Sequence, residues 1–248
     1  MYDGLEYETG AELCEKMAKE CDTAILAFST GKDSIAAWLQ LKKYFKRIIP
    51  YYLYVVPKLS FVEKSLDYYE RFFGCHIYRL PHPSMFRIFN AMVFQPPYRV
   101  NVILNELYMP PDGYTEQTIG DMIRYGLDLP ESAYIATGVR MADSPYRRIA
   151  VKTHGAINHN AKKFFPVYDW LKADVIDALD EAKIQLPVDY QLFGRTFDGL
   201  DYRFLKPIQE HYPEDYQKIL RYFPFAELEI GRREGFDAIQ RSRSEIDA

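Results

Sequence analysis

Phe28-Ser29-Thr30-Gly31-Lys32-Asp33-Ser34 follows the apolar run Thr23-Ala24-Ile25-Leu26-Ala27 and precedes Ile35–Phe45, which has the apolar spacing of an amphipathic helix. A loop in that position sits where a helix N-terminus offers unpaired N–H groups and the positive end of its dipole. Walker A geometry is excluded. That pattern needs a Gly five residues ahead of the Gly of the Gly-Lys pair and a Ser or Thr after the Lys, whereas Leu26 and Asp33 stand there. What remains still suits an anion: Gly31 permits a tight turn, Ser29, Thr30 and Ser34 supply hydroxyls, and Lys32 supplies a positive charge. These parts match a diphosphate or a departing pyrophosphate. Asp33 is out of character for an anion site, and either caps the helix or holds a Mg²⁺ ion. A plain capped strand-to-helix turn is the alternative reading of the whole stretch.

Working outward, Thr9 and Glu12 have capping-box spacing and open a helix reaching about Glu20. Strands are expected at 23–28, 47–56, 76–80, 133–139 and 163–170. Helices are expected at 34–45, from a Ser60/Glu63 box to Gly74, and over 172–184. Strands alternating with helices predict an α/β fold: an open, mostly parallel five-stranded sheet with helices on both faces. The predicted organisation is a nucleotide-binding domain over 1–186 and a helical, aromatic-rich C-terminal region over 187–248. A Pro-rich insertion at about 81–130 would shape a substrate pocket. In such sheets ligands bind beyond the carboxyl ends of the strands, where strand order reverses. Both 28–34 and the polar loop Thr137–Arg148 fall at that edge.

The 248 residues are 48% hydrophobic with a net charge of −4, which excludes a general nucleic-acid-coating surface and a disordered chain. No stretch approaches the ~20 apolar residues of a membrane helix, so no membrane association is expected. The acidic start, Met1–Gly10, is unlike a secretory signal. Cys14, Cys21 and Cys75 form neither a disulfide framework nor a CxxC pair, which points to the cytoplasm. The histidines lack zinc spacing. The segment 154–163 reads as a flexible basic loop able to touch an anionic substrate. Gly194–Leu205 either reaches over the site or is a turn before a helix.

The loop 28–34 resembles the SGGKDS signature of the PP-loop ATP pyrophosphatases, which cleave ATP between the α and β phosphates; Thr30 stands for the usual second Gly. Thr137–Arg148 is similar to the GxRxxES…R segment of the phosphoadenosine phosphosulfate reductase-like branch, with Asp143 for the usual Glu. Pro166, Asp169, Trp170, Asp174 and Val175 resemble that branch's P…DW…DV segment. The resemblance implies an adenine nucleotide alpha hydrolase-like fold. It also implies an ATP site at Phe28, Ser29, Thr30, Gly31, Lys32, Asp33, Ser34 and Gly138, with Mg²⁺ at Asp33. Arg140, Ser144 and Arg147 would meet an anionic small-molecule or carrier acceptor, and Lys32, Arg140 and Arg147 would carry catalysis. Reductase chemistry is disfavoured, because no Cys follows Cys75 to act as nucleophile and three scattered cysteines cannot hold an iron–sulfur cluster. The expected activity is adenylylation of the acceptor with release of pyrophosphate. A homo-oligomer is expected. The rival reading is a non-catalytic nucleotide-binding regulator acting with a ParB-like or other protein partner.

Overall fold

The computed structural model describes residues 9–96 and 113–246; residues 1–8 of the acidic start and 97–112 of the predicted insertion lie outside them. Six strands form one sheet: β1 (Thr23–Ala27), β2 (Arg47–Tyr54), β3 (Tyr78–Pro81), β4 (Ile135–Ala136), β5 (Ile157–Asn158) and β6 (Lys163–Phe164). Eleven α-helices are described: α1 (Gly10–Glu20), α2 (Lys32–Leu41), α3 (Ser60–Phe73), α4 (Pro83–Asn90), α5 (Glu116–Gly126), α6 (Pro145–His154), α7 (Lys172–Glu181), α8 (Asp189–Phe193), α9 (Tyr202–His211), α10 (Pro213–Tyr222) and α11 (Glu227–Ile246). They group into two compact units. One takes in the described residues of 1–53, 65–80 and 113–187; the other takes in those of 54–64, 81–112 and 188–248.

In the first unit the sheet runs β3-β2-β1-β4-β6-β5. β1 pairs in parallel with β2 and with β4, and β4 pairs in parallel with β6. The α/β, mostly parallel character follows the sequence expectation, but the sheet has six strands and not five. The additional strand, β5, is antiparallel to β6 and aligns Ile157 with Phe164. It lies inside the segment read as a flexible loop, and two residues are too few to print an alternating pattern. The predicted strand over 163–170 is correspondingly short. After Phe164 the chain turns, with Tyr168 N–H bonding Phe165 O and Trp170 N–H bonding Val167 O, and Pro166 has no N–H to offer a ladder.

Both faces of β1 are covered, which is why its run is continuously apolar. Ile25 joins Ile49, Tyr51 and Ile135 against Ile119 and Ile123 of α5. On the other face, the Phe28 ring lies 5.1 Å from both Tyr69 and Phe73 of α3, and Phe73 stacks on Trp38 of α2 at 4.0 Å. The end of the predicted insertion therefore belongs to the core: α5 closes one face of the sheet. Buried Arg124 ties it down, donating to Ala133 O (2.9 Å) and pairing with Asp121 (2.6 Å).

The acidic residues of the P…DW…DV segment serve the fold. Asp174 accepts from Leu171 N–H (2.6 Å) and caps α7. Asp169 lies at the start of α1, where a Cβ on Gly10 would come within 2.8 Å of its Oδ1. The N-terminus of α1 keeps the predicted Thr9–Glu12 capping box.

In the second unit, Asp215 is 1% exposed and accepts from Ser60 N–H (2.6 Å) and Ser60 Oγ (2.7 Å), while Lys218 neutralises it at 2.8 Å. The first turn of α3 is thus held by a carboxylate distant in sequence. Gly194 ends α8 at φ +70°, and Asp201 caps α9 by accepting from Arg203 N–H (2.9 Å). Gly194–Leu205 accordingly holds the turn that precedes α9 and the start of that helix. Its Phe197 packs edge-on to Phe204 and Phe61 at 5.4 and 5.7 Å. No described helix is long and apolar enough to cross a membrane.

Candidate functional site

Strand order reverses at β1. The chain moves outward through β2 and β3, then returns to the other side of β1 as β4. The loops leaving the carboxyl ends of these two neighbours, 28–31 and 137–144, therefore meet at the one place in an open parallel sheet where a crevice forms. Both lie in the first unit.

The first loop is built to present backbone. Phe28 N–H bonds Tyr51 O (2.8 Å), extending the β1–β2 pairing one residue, while its ring is buried in the core. Thr30 takes φ 61°, the left-handed region that favours Gly, and its Oγ1 donates to Ser29 O at 2.6 Å. That bond offsets part of the cost of a β-branched residue there. Gly31 is the N-cap of α2, and it makes no side-chain cap hydrogen bond. Ser34 turns inward: its Oγ donates to Gly31 O (2.8 Å), and Ser29 Oγ lies 3.4 Å from it. Asp33 does not cap α2. It stands in the first turn, where a negative charge is favoured.

The second loop presses on this turn through Gly138. A Cβ there would sit 2.5 Å from Asp33 O and 2.9 Å from Ser34 N. Its φ is not in the left-handed region, so space alone demands the Gly. Past it, Arg140 opens a short 3-10 turn, Met141–Asp143, and Ser144 caps α6 by accepting from Arg147 N–H at 3.1 Å, with Pro145 in the first turn.

These two loops join in a chain of alternating charge. Lys32 Nζ is 2.8 Å from Asp33 Oδ2; Asp33 Oδ1 is 3.0 Å from Arg140 Nε. Arg140 Nη2 is 2.7 Å from Asp143 Oδ1, and Asp143 Oδ2 is 2.5 Å from Arg147 Nη1. The Asp33–Arg140 contact is an ion pair whose angle falls short of a hydrogen bond. Three cations face two carboxylates, so the chain has positive charge to spare. The Arg140 side chain is only 6% exposed, while that of Arg147 is 47% exposed. Arg140 Nη1 and Thr137 Oγ1 are buried and, among the described residues, have no hydrogen-bond partner. Buried polar atoms normally find one, and both belong to the loop that leaves β4.

Of the residues singled out in sequence, the structure brings together Ser29, Thr30, Gly31, Lys32, Asp33, Ser34, Gly138, Arg140, Ser144 and Arg147. Phe28 is adjacent through its backbone only. Asp143, noted merely as a replacement for Glu, proves to be the link between the two arginines; its spacing of three from Arg140 and four from Arg147 was the available signal. A Mg²⁺ ion at Asp33 does not fit this donor set. Both Asp33 oxygens face cations, and among the described residues no group of three or more His, Cys, Asp or Glu is placed to hold a metal. Cys14 is buried in α1, and burial, with Asp169 nearby, pushes its thiol well above the ordinary range, which leaves it inert as a nucleophile.

No protein-family model matches the chain, and no curated protein sequence matches it. Solved structures similar to it include these two. One is the U34-tRNA thiolase NcsA from Methanococcus maripaludis with its [4Fe-4S] cluster, at 11% identity and a TM-score of 0.44, covering 88% of this chain and 79% of that one. The other is the NH3-dependent NAD synthetase from Campylobacter jejuni in complex with the nitrate ion, at 10% identity and a TM-score of 0.43, covering 90% of this chain and 91% of that one.

Proposed function

We propose that the protein is an ATP pyrophosphatase of the nucleotidyl-transfer type, which cleaves ATP between its α and β phosphates to adenylylate an anionic acceptor. The observation that carries this reading is the meeting of an uncapped helix N-terminus and a net-positive ion-pair chain at the switch point of the sheet. Phosphates lie across residues 29–34, where the amides of α2 and the Lys32 ammonium face them. An acceptor oxygen forms a bond to the α phosphorus as the bond from that phosphorus to the α–β bridging oxygen breaks. The electron pair leaves with pyrophosphate, and no oxidation occurs. Catalysis of this kind is positioning plus charge stabilisation. Lys32 stabilises the leaving group. Arg147, the exposed end of the chain, orients the acceptor. Arg140 acts as a positioning residue, since its guanidinium is engaged with Asp33 and Asp143 and locks one loop to the other.

The engagement of Lys32 with Asp33, and of Arg140 with Asp33 and Asp143, also favours a second reading, a nucleotide-binding regulator with no turnover. Both readings require the phosphate loop, so it is tested first. In calorimetric titration with ATP, Lys32→Ala should lose about 1–3 kcal/mol of affinity, the scale of a charge-assisted hydrogen bond. An unchanged dissociation constant would remove the loop from the nucleotide site.

A further inference from the structure

Beside the ion-pair chain lies a cavity of about 540 Å³ between α6 and the β5–β6 hairpin. One face of α6 lines it: Arg147, Ala150, Val151 and His154 follow the i, i+3, i+4, i+7 spacing that puts side chains on a common stripe. Ile157 and Phe165 add to its apolar floor, and His159 and Asn160 stand at the hairpin side. No acidic residue lines it. The sequence explains that, since the stretch 144–163 carries five Lys and Arg, two His and no Asp or Glu in a chain of net charge −4.

The polar groups are placed to receive a ligand. Arg147 gives Nη1 to Asp143, and among the described residues its remaining guanidinium N–H groups have no partner. His159, which lines the cavity, has its Nδ1 3.2 Å from Tyr134 OH, so that contact does not use Nε2. Arg147 stands in the first turn of α6, where the helix dipole also favours an anion, and His154 stands in the last. Seven residues of helix separate them by about 10 Å. The volume is in the range of small-molecule pockets, roughly 300–1,000 Å³. A bare tetrahedral oxyanion, comparable to a few waters of about 30 Å³ each, would leave most of it empty.

We propose that this cavity is the acceptor site, and that the acceptor is a small organic anion: a carboxylate or phosphate headgroup on a flat, apolar, ring-sized body. The headgroup sits on Arg147, at the end of the chain that leads through Asp143, Arg140 and Asp33 to the phosphate loop. The body lies against Val151, Ile157 and Phe165, between the two imidazoles. Calling the ligand an acceptor rests on the nucleotide-transfer reading above; the site itself does not.

The test is direct binding without nucleotide, followed by NMR or calorimetry. The probes are benzoate, phenyl phosphate and a set of ring-bearing carboxylates, each beside its neutral amide, with inorganic sulfate as the small anion. Members of the ring-bearing anion set should bind at least 10-fold tighter than their amides and than sulfate. Ala150→Phe, which fills the cavity, and His159→Ala, an exposed change that leaves the core alone, should each weaken binding at least 10-fold. Arg148→Ala, off the lining face, should leave it unchanged. Equal binding of anion and amide, no binding by any ring-bearing anion, or affinities indifferent to both Ala150→Phe and His159→Ala would overturn the site. ATP cleavage is assayed separately. Anion binding that responds to these variants without release of pyrophosphate from ATP would contradict the nucleotidyl-transfer reading while the site stands. Pyrophosphate release that ignores them would contradict the site while that reading stands.

Discussion

Gly138 shows how narrowly one residue sets the site. Its α-hydrogen faces the carbonyl of Asp33, and a methyl group there would overlap backbone, which cannot swing aside as a side chain can. Gly138→Ala should therefore destabilise the protein by about 1–3 kcal/mol, as overpacking of a close contact does, and should weaken ATP binding by shifting the first turn of α2. Gly126, where an added Cβ meets nothing within 4 Å, provides the contrast: Gly126→Ala should leave stability unchanged or raise it by up to about 1 kcal/mol. Urea unfolding of both variants checks the pair; equal behaviour would mean that the two loops do not touch. At this scale much was legible. The identities of Ser29 to Ser34 announce an anion loop by composition and by their place after an apolar run. The need for Gly138 was not legible from the residues alone, because its neighbour is more than a hundred positions away in sequence.

At the scale of elements, the decisive feature is that Arg140 bridges the first turn of α2 and the 3-10 turn before α6. The sequence reading has Arg140 meet the acceptor and carry catalysis, a role whose loss would cost turnover and not folding. The pairing with Asp33 and Asp143 changes that expectation. Removing the guanidinium takes one partner from each of two carboxylates, while Asp33 keeps Lys32 and Asp143 keeps Arg147. Leaving a buried charge uncompensated costs about 3–5 kcal/mol; the retained partners and residual exposure of both acids place the loss below that range. Arg140→Lys should recover part of it, since one ammonium reaches one carboxylate but cannot fork between two. Denaturation midpoints of the two variants, measured beside nucleotide affinity, decide the matter; Arg140→Ala as stable as wild type would show that the bridge does not join the loops. β1, α2 and α3 were readable because each carries a long, regular apolar pattern. β5 was not, because two residues become a strand only through their partner. α5 carried its signal in Ile119 and Ile123, four apart, but a Pro-rich setting masked it.

For the molecule as a whole, pH dependence offers a test of the second unit. Asp189 is 3% exposed, and burial raises its carboxyl above the ordinary range, although Phe197 N–H donates to it at 2.9 Å. The folded state therefore holds this proton more tightly than the unfolded chain does. Stability falls as pH rises from the ordinary carboxylate pKa of about 3.9 to the higher folded value, then levels off. Asp189→Asn stays neutral and keeps an acceptor for Phe197, so its stability relative to wild type should climb across that window and remain higher at neutral pH. Urea midpoints between pH 3.5 and 8 check the sign; wild type gaining on the variant as pH rises would refute it. Fold class and the edge of the sheet that carries the site could be read from the alternation of strands and helices. The ion-pair chain could not, since pairing across the switch point exists only once β4 has returned beside β1. The claim on which the account turns is cleavage between the α and β phosphates, and the most direct measurement uses two analogues whose bridging oxygens are replaced by methylene. With wild-type protein and a set of organic acids, followed by phosphorus NMR, the β,γ-methylene analogue should yield methylene diphosphonate together with the adenylylated acid, or the AMP left by its hydrolysis, while the α,β-methylene analogue stays intact. Release of phosphate from the α,β-methylene analogue, with the β,γ-methylene analogue untouched, would contradict the account.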